Sequence, residues 1–263
     1  MKKKQFRDDF ERRRAERQRR IKKRRLIIFF ICFIIVMLAV GTALSLTIFF
    51  PIESITAKGS KIYTSEQIIK ACGVSEGDNL FTFTQKEMSE EIRKTLPYVN
   101  GVSVKRSLPG NVVITVSDAA EYACYNIDGK YFVTDKSGFV LNEYDTIPEN
   151  VFEIRANGVK CKVGEYVQYK ESETDKTVSQ LVDVLSESKI HINYIDVTDT
   201  LAVTAKVENR FVVQFGTVNN LDKKTAHLAG MIKNIDPQKT GKINLSMWTS
   251  SKTEGTFIEG AVE

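Results

Sequence analysis

Cys32, Cys72, Cys124 and Cys161, with His191 and His227, are the side chains here best suited to nucleophilic or metal chemistry. A thiol nucleophile needs a neighbouring base to form the thiolate. A zinc site needs Cys or His ligands paired at short spacing. The sequence offers neither pattern: no two cysteines form a C-x-x-C pair, and neither histidine has a second ligand at i+3 or i+4. Cys72 falls at the end of a predicted helix and Cys124 in a predicted strand, places suited to a buried small hydrophobe. Asp196 and Asp199 read as loop or strand-edge acids in solvent. There is no P-loop, no G-x-S-x-G and no H-E-x-x-H. Cys32 lies in an apolar run, so an odd number of cysteines remains, and they make no disulfide framework. The expectation is no enzyme, no cofactor, no metal and no small-molecule substrate.

The elements around these residues start with that apolar run. Leu26 to Phe50 is 25 residues without a charge. As a helix it would reach about 37 Å, at 1.5 Å per residue, against a hydrocarbon core of about 30 Å. A helix also satisfies its own backbone in lipid, and Pro51 ends it. Lys22, Lys23, Arg24 and Arg25 abut its start, whereas the first charge after it is Glu53. Positive charge stays inside, so the N-terminus is expected to be cytoplasmic and residues 51–263 outside. A cleaved signal peptide would have an apolar core of roughly 7–15 residues and a small-x-small site; the run is longer, and FFPIES is no such site.

The charge distribution agrees. Residues 1–25 carry 14 Lys or Arg and 4 Asp or Glu, a net +10, within a chain of +5. The basic pI therefore reports one tail. That tail has little aromatic interleaving and no nucleic-acid motif, so no nucleic acid is expected; topology and attraction to anionic lipid account for it.

From 51 to 118 the pattern reads strand, helix, helix, strand, strand. Residues 52–59 alternate as a short strand. Thr64-Ser65-Glu66-Gln67 and Thr84-Gln85-Lys86-Glu87 read as capping boxes. Ile68, Ile69 and Cys72 form a small apolar face ended by Gly73. Met88, Ile92 and Leu96 recur at helical spacing before Pro97. Val102 and Val104 alternate, Leu108-Pro109-Gly110-Asn111 turns, and Val112, Ile114 and Val116 alternate again.

From 119 to 263 strands dominate. Asp128-Gly129 and Asp135-Lys136-Ser137-Gly138 punctuate a three-strand meander, and 151–154 adds a strand. Val178, Leu181, Val182 and Leu185 mark an amphipathic helix within 175–188. Strands follow at 194–197, 201–207 and 211–215, then a helix over 221–235. Lys242–Trp248 reads as a strand, 250–255 as a turn, and Thr256–Ile258 as a short last strand.

These residues resemble a known family. The order β-α-α-β-β, with Lys58-Gly59-Ser60 after the first strand, Gly77-Asp78-Asn79-Leu80-Phe81 between the helices, Leu96-Pro97-Tyr98-Val99 after the second, and the 104–116 hairpin, is similar to the POTRA domain of FtsQ/DivIB cell-division proteins. Residues 131–141, 210–224 and 242–246 resemble the family's second domain. Two departures stand out. Ser117 to Glu121 keeps only the acid of the family's usual Glu-Arg-x-Pro-like segment, and Asn244 stands where the family commonly has Asp.

The resemblance implies an α+β fold: a single N-terminal transmembrane helix, a POTRA domain, then a β-rich mixed α+β domain. The expected boundaries are 1–25 for a cytoplasmic tail, 26–50 for the membrane helix, 51–118 for POTRA and 119–263 for the β domain with a C-terminal edge strand. It implies a non-enzymatic scaffold at the division septum, binding partners of the FtsB/DivIC and FtsL types outside the membrane. The binding edge maps onto Lys242, Ile243, Asn244, Leu245, Trp248, Thr256, Phe257 and Ile258, by strand addition. Trp248 is either an anchor for the partner or ordinary packing. Two alternatives remain. One is an anchored sortase-like thiol transpeptidase, whose Cys would follow Thr-Leu-x-Thr, a context none of these cysteines has. The other is a POTRA protein of transport or assembly, which would need a long C-terminal barrel.

Overall fold

The computed structural model describes residues 25, 26, 28–41, 50–248 and 255–262. Residues 25–26 and 28–41 are helical, with their apolar side chains exposed. Among the described residues no helix is long and apolar enough to cross a membrane. Part of the expected span (27 and 42–49) and the flanking Lys22, Lys23 and Arg24 lie outside the described residues.

The first sheet contains β1 (Ser54–Lys58), β2 (Val99–Ser107) and β3 (Asn111–Asp118) in the order β1-β3-β2. Two helices separate β1 from β2: α1 (Ser65–Ala71) and α2 (Gln85–Thr95). The first predicted capping box is formed. Gln67 N–H donates to Thr64 Oγ1, and Thr64 N–H donates back to Gln67 Oε1. Met88 and Ile92 give α2 its buried face.

Contacts divide the chain into two compact units. One comprises the N-terminal residues through Ile55 with Ser75–Thr84 and Lys105–Val113; the other comprises Thr56–Val74, Gln85–Val104 and Ile114–Glu263. In the first, the strand-entry residues are held by two loops. Ile52 N–H donates to Asp78 O (2.7 Å), Gly77 N–H to Ile52 O (2.8 Å) and Glu53 N–H to Gly110 O (2.8 Å). Ile52, Ile55, Leu80, Phe83 and Val112 are buried. Gly110 must be glycine, because a Cβ there would strike the Pro51 carbonyl.

The second unit contains a nine-stranded sheet in the order β14-β13-β12-β11-β10-β7-β4-β5-β6. Its strands are β4 (Ala123–Ile127), β5 (Lys130–Thr134), β6 (Val140–Tyr144), β7 (Phe152–Arg155), β10 (Ile192–Asp196), β11 (Val203–Val207), β12 (Phe211–Gly216), β13 (Gly241–Asn244) and β14 (Thr256–Glu259). The predicted meander appears as β4-β5-β6. The β7–β4, β7–β10 and β12–β13 pairs are parallel. Parallel neighbours need crossovers, and these include α3 (Ser172–Glu187) and α4 (Leu221–Asn234). Leu181, Leu185 and Leu228 share one core with Tyr125, Ile195, Val213 and Ile243. A two-stranded ribbon of β8 (Val159–Lys160) and β9 (Gln168–Tyr169) was not expected from the sequence.

The turn after α2 is tied to this sheet. Tyr98 Oη (2.6 Å) and Tyr144 Oη (2.8 Å) both donate to Glu121 Oε1. The Arg93 guanidinium lies 4.2 Å from the Phe139 ring centroid and 3.6 Å from Asp135 Oδ2. Asp135 Oδ1 is already engaged by the Ser137 and Phe139 N–H groups (2.8 and 3.0 Å).

Candidate partner-binding edge

β14 closes the sheet at one end and has β13 as its sole strand neighbour among the described residues. The ladder is antiparallel, pairing Gly241 with Glu259, Lys242 with Ile258, Ile243 with Phe257 and Asn244 with Thr256. Gly260 N–H donates to Thr240 O (3.1 Å). Hydrogen-bonded pairs alternate with non-bonded ones along such a ladder. Lys242–Ile258 and Asn244–Thr256 are therefore the bonded pairs, and the backbone groups of Phe257 and Glu259 point away from β13, toward the open side.

Side chains fix this strand in place. Phe257 sets its ring edge-to-face on the fully buried Phe211, 5.9 Å between centroids. Ile258, on the opposite face, is 64% exposed. Gly241 is required beneath it, since a Cβ would run into the Ile258 carbonyl. Lys239 Nζ pairs with Glu259 Oε2 at 2.9 Å. On the inner side Arg210 donates to the Asp236 and Lys239 carbonyls (2.7 and 3.1 Å), holding the connection from α4 to β13. The buried ammonium of Lys224 donates to Phe215 O and Thr217 O, both at 2.7 Å, clamping the end of β12.

The predicted strand 242–248 is shorter than expected. β13 ends at Asn244, whose Oδ1 accepts from Ser246 N–H (2.9 Å) and Ser246 Oγ (2.7 Å). That side-chain turn competes with the ladder and stops it. It needs an acceptor and no charge, which the Asn244 amide supplies. Leu245 and Trp248 follow in the turn and are buried, at 0% and 8% exposure. The ladder thus gathers Lys242, Ile243, Asn244, Thr256, Phe257 and Ile258 and leaves Leu245 and Trp248 in the core. Glu259, Phe211 and Lys224 went unremarked in the sequence. A lysine on the apolar side of the 221–235 helix was the available signal for the last.

The cysteines sit elsewhere. Burial pushes the Cys124 and Cys161 thiols up to about 12, the reverse of an activated nucleophile. Cys161 borders a cavity of about 390 Å³ with Ile127, Tyr166 and Gln168, and no histidine is among its described lining residues. No group of three His, Cys, Asp or Glu that could hold a metal occurs among the described residues.

Residues 50–118 match the family model described as POTRA domain, FtsQ-type. The DivIB cell division protein of Clostridium tetani is 25% identical over 206 residues, 75% of this chain and 77% of that protein. DivIB of Clostridium acetobutylicum is 27% identical over 204 residues, 75% of this chain and 80% of that protein. The FtsQ cell division protein of Streptomyces venezuelae is 23% identical over 212 residues, 79% of this chain and 76% of that protein. The chain is thus similar to the FtsQ and DivIB cell division proteins over about three quarters of its length, and its residues 50–118 are a POTRA domain of the FtsQ type. These matches reach well beyond the POTRA domain, so the FtsQ/DivIB likeness includes sequence outside it.

Proposed function

We propose that this chain is a bitopic, non-enzymatic scaffold of the division septum. Leu26–Phe50 crosses the membrane, and the basic tail, with Lys22, Lys23, Arg24 and Arg25 at its end, stays in the cytoplasm against anionic lipid. The folded part outside captures division proteins of the FtsB/DivIC and FtsL types. The apolar run and its charge asymmetry support the topology.

The observation that carries the binding reading is the open side of β14. An edge strand with outward N–H and C=O groups accepts a partner strand, and its side chains set the choice of partner. Here Phe257 and Glu259 supply the outward backbone groups, and Ile258 an exposed apolar contact. The test is co-purification from detergent-solubilised dividing cells carrying the full chain with an N-terminal fluorescent tag. FtsB/DivIC- and FtsL-type proteins should be retained, and the tag should form a midcell band. Loss of both partners together with uniform envelope fluorescence overturns the scaffold reading.

A further inference from the structure

Two loops of the first compact unit converge on the residues that leave the apolar run. Leu80 N–H donates to Phe50 O (2.9 Å), Ile52 N–H to Asp78 O and Glu53 N–H to Gly110 O. The Phe50 and Phe81 rings meet edge-to-face, 5.5 Å between centroids. The 75–84 loop and the tip of the β2–β3 hairpin (105–113) are therefore fastened directly to the chain's exit point. Each presents a large apolar side chain to solvent: Phe81 is 50% exposed and Leu108 is 65% exposed. Exposed Lys105 and Arg106 lie three and two residues before Leu108. Arg106 donates to Phe83 O (2.5 Å) and lies 4.4 Å from that ring's centroid, which fixes the guanidinium beside the first loop.

We propose that these loops are a lipid seat: Phe81 and Leu108 insert into the outer headgroup region beside the anchor, with Lys105 and Arg106 at the level of the phosphates. The inference rests on the reading of Leu26–Phe50 as membrane-spanning. Continuity with that anchor selects lipid over a protein partner. Residues bonded to Phe50, Ile52 and Glu53 lie where the chain emerges, and the tether holds them at high effective concentration near the surface. Paired apolar tips with adjacent cations are what an interfacial site requires. The same unit also holds exposed Glu53, Glu76 and Asp78. Asp78 Oδ2 accepts from Ser75 N–H at 2.8 Å. The seat is accordingly driven by apolar insertion, with no net positive patch.

The test uses the full chain in vesicles of phosphatidylethanolamine and phosphatidylglycerol with brominated acyl chains. In a Trp248→Phe background, Phe81→Trp and Leu108→Trp each give the chain one indole; Leu201→Trp, at a 72% exposed site in the other unit, is the control. If Trp248→Phe alters the circular dichroism, Trp248 is kept and difference spectra are used. Phe81→Trp and Leu108→Trp should show blue-shifted emission and lose roughly half of it to bromine, as for rings about 5–10 Å into the headgroup boundary; the control should lose none. Emission like the control, with the protein still vesicle-bound after alkaline carbonate, overturns the seat and leaves the anchor standing. Release of the protein by carbonate overturns the anchor and the seat with it. A blue shift that requires added division proteins assigns the loops to a protein partner and overturns the lipid seat.

Discussion

At one end of the nine-stranded sheet, β6 is overlaid by residues 164–166. Val140 N–H donates to Glu165 O (2.9 Å), Gly164 N–H donates to Val140 O (3.0 Å), and Phe139 bridges Tyr166. Glu143 is tied to Lys130 at 2.7 Å, and Tyr144 to Glu121. At the other end, β14 has β13 on one side and no strand on the other among the described residues. Exposed strand edges invite pairing, and folds usually cover or charge them. One sheet here carries a covered edge and an open one, and the open one is where the proposed partner strand would add.

The sharpest way to break this contrast is Phe257→Pro. It removes an outward donor and the ring that seats the strand on Phe211. Capture of the FtsB/DivIC-type partner should fall by about a hundredfold, or about 2.7 kcal/mol. Glu259→Pro removes an outward N–H without touching the Phe211 contact and should weaken capture less. Glu143→Ala, on the covered edge, should leave it unchanged. Pull-down titrations of the three variants decide the matter: equal capture by all three removes the edge-strand mechanism and leaves the likeness to FtsQ and DivIB proteins standing.

The closed end should yield a smaller, purely structural effect. Glu121→Ala deletes the acceptor shared by Tyr98 and Tyr144, bonds of 2.6 and 2.8 Å. Bonds to a charged acceptor contribute about 1.5–3 kcal/mol, and water partly replaces them at this half-buried site. A loss of about 2 kcal/mol is expected in urea unfolding, with partner capture unaltered. Glu121→Gln keeps an acceptor and should lose about half as much. A Glu121→Ala variant as stable as the parent would show that the two tyrosines find other partners.

Much of this was legible locally. Thr64 with Gln67, the Asp128-Gly129 turn and the Val178–Leu185 face each specify their element through neighbouring residues, and each element forms. What escaped depends on partners distant in sequence. Nothing near Phe152 announces that β7 will lie parallel between β4 and β10. The β8–β9 ribbon pairs strands of two residues each, too short for alternation to register. At the candidate edge, alternation gave the last strand to within one residue, but the end of β13 was set by a side-chain turn at Asn244 that competes with an apolar pattern running on to Trp248. Glu121 illustrates the same limit. Its acidity was visible, while its two hydroxyl donors lie 23 residues away on either side.

Away from both edges, β4 and the neighbouring β8–β9 ribbon should respond to alkali. Burial, and after it the neighbouring Tyr169 hydroxyl, raises Tyr125; burial raises Tyr169 to about 12 against a hydrogen bond from Tyr125 that lowers it; burial raises the Cys124 and Cys161 thiols to about 12 as well. In an unfolded chain these groups lose their protons near about 8.5 for Cys and about 10 for Tyr. The folded state therefore holds protons that the unfolded state releases. Their contribution is complete below about pH 8.5 and falls as pH rises toward 12, where the folded groups themselves ionise. Urea midpoints should be level near about pH 8 and drop progressively from about pH 9 upward, by about 1 kcal/mol or less at first. Cys161→Ala should flatten the earliest part of that decline, because it removes one of the two low-titrating groups and leaves the tyrosines. Phe257→Pro should leave the profile's shape unchanged, because β14 contributes none of these groups. A parent midpoint constant to about pH 11 would mean that the thiols and phenols titrate as freely folded as unfolded, and the groups on β4 and beside the β8–β9 ribbon would then be as open to water as the edge they are contrasted with.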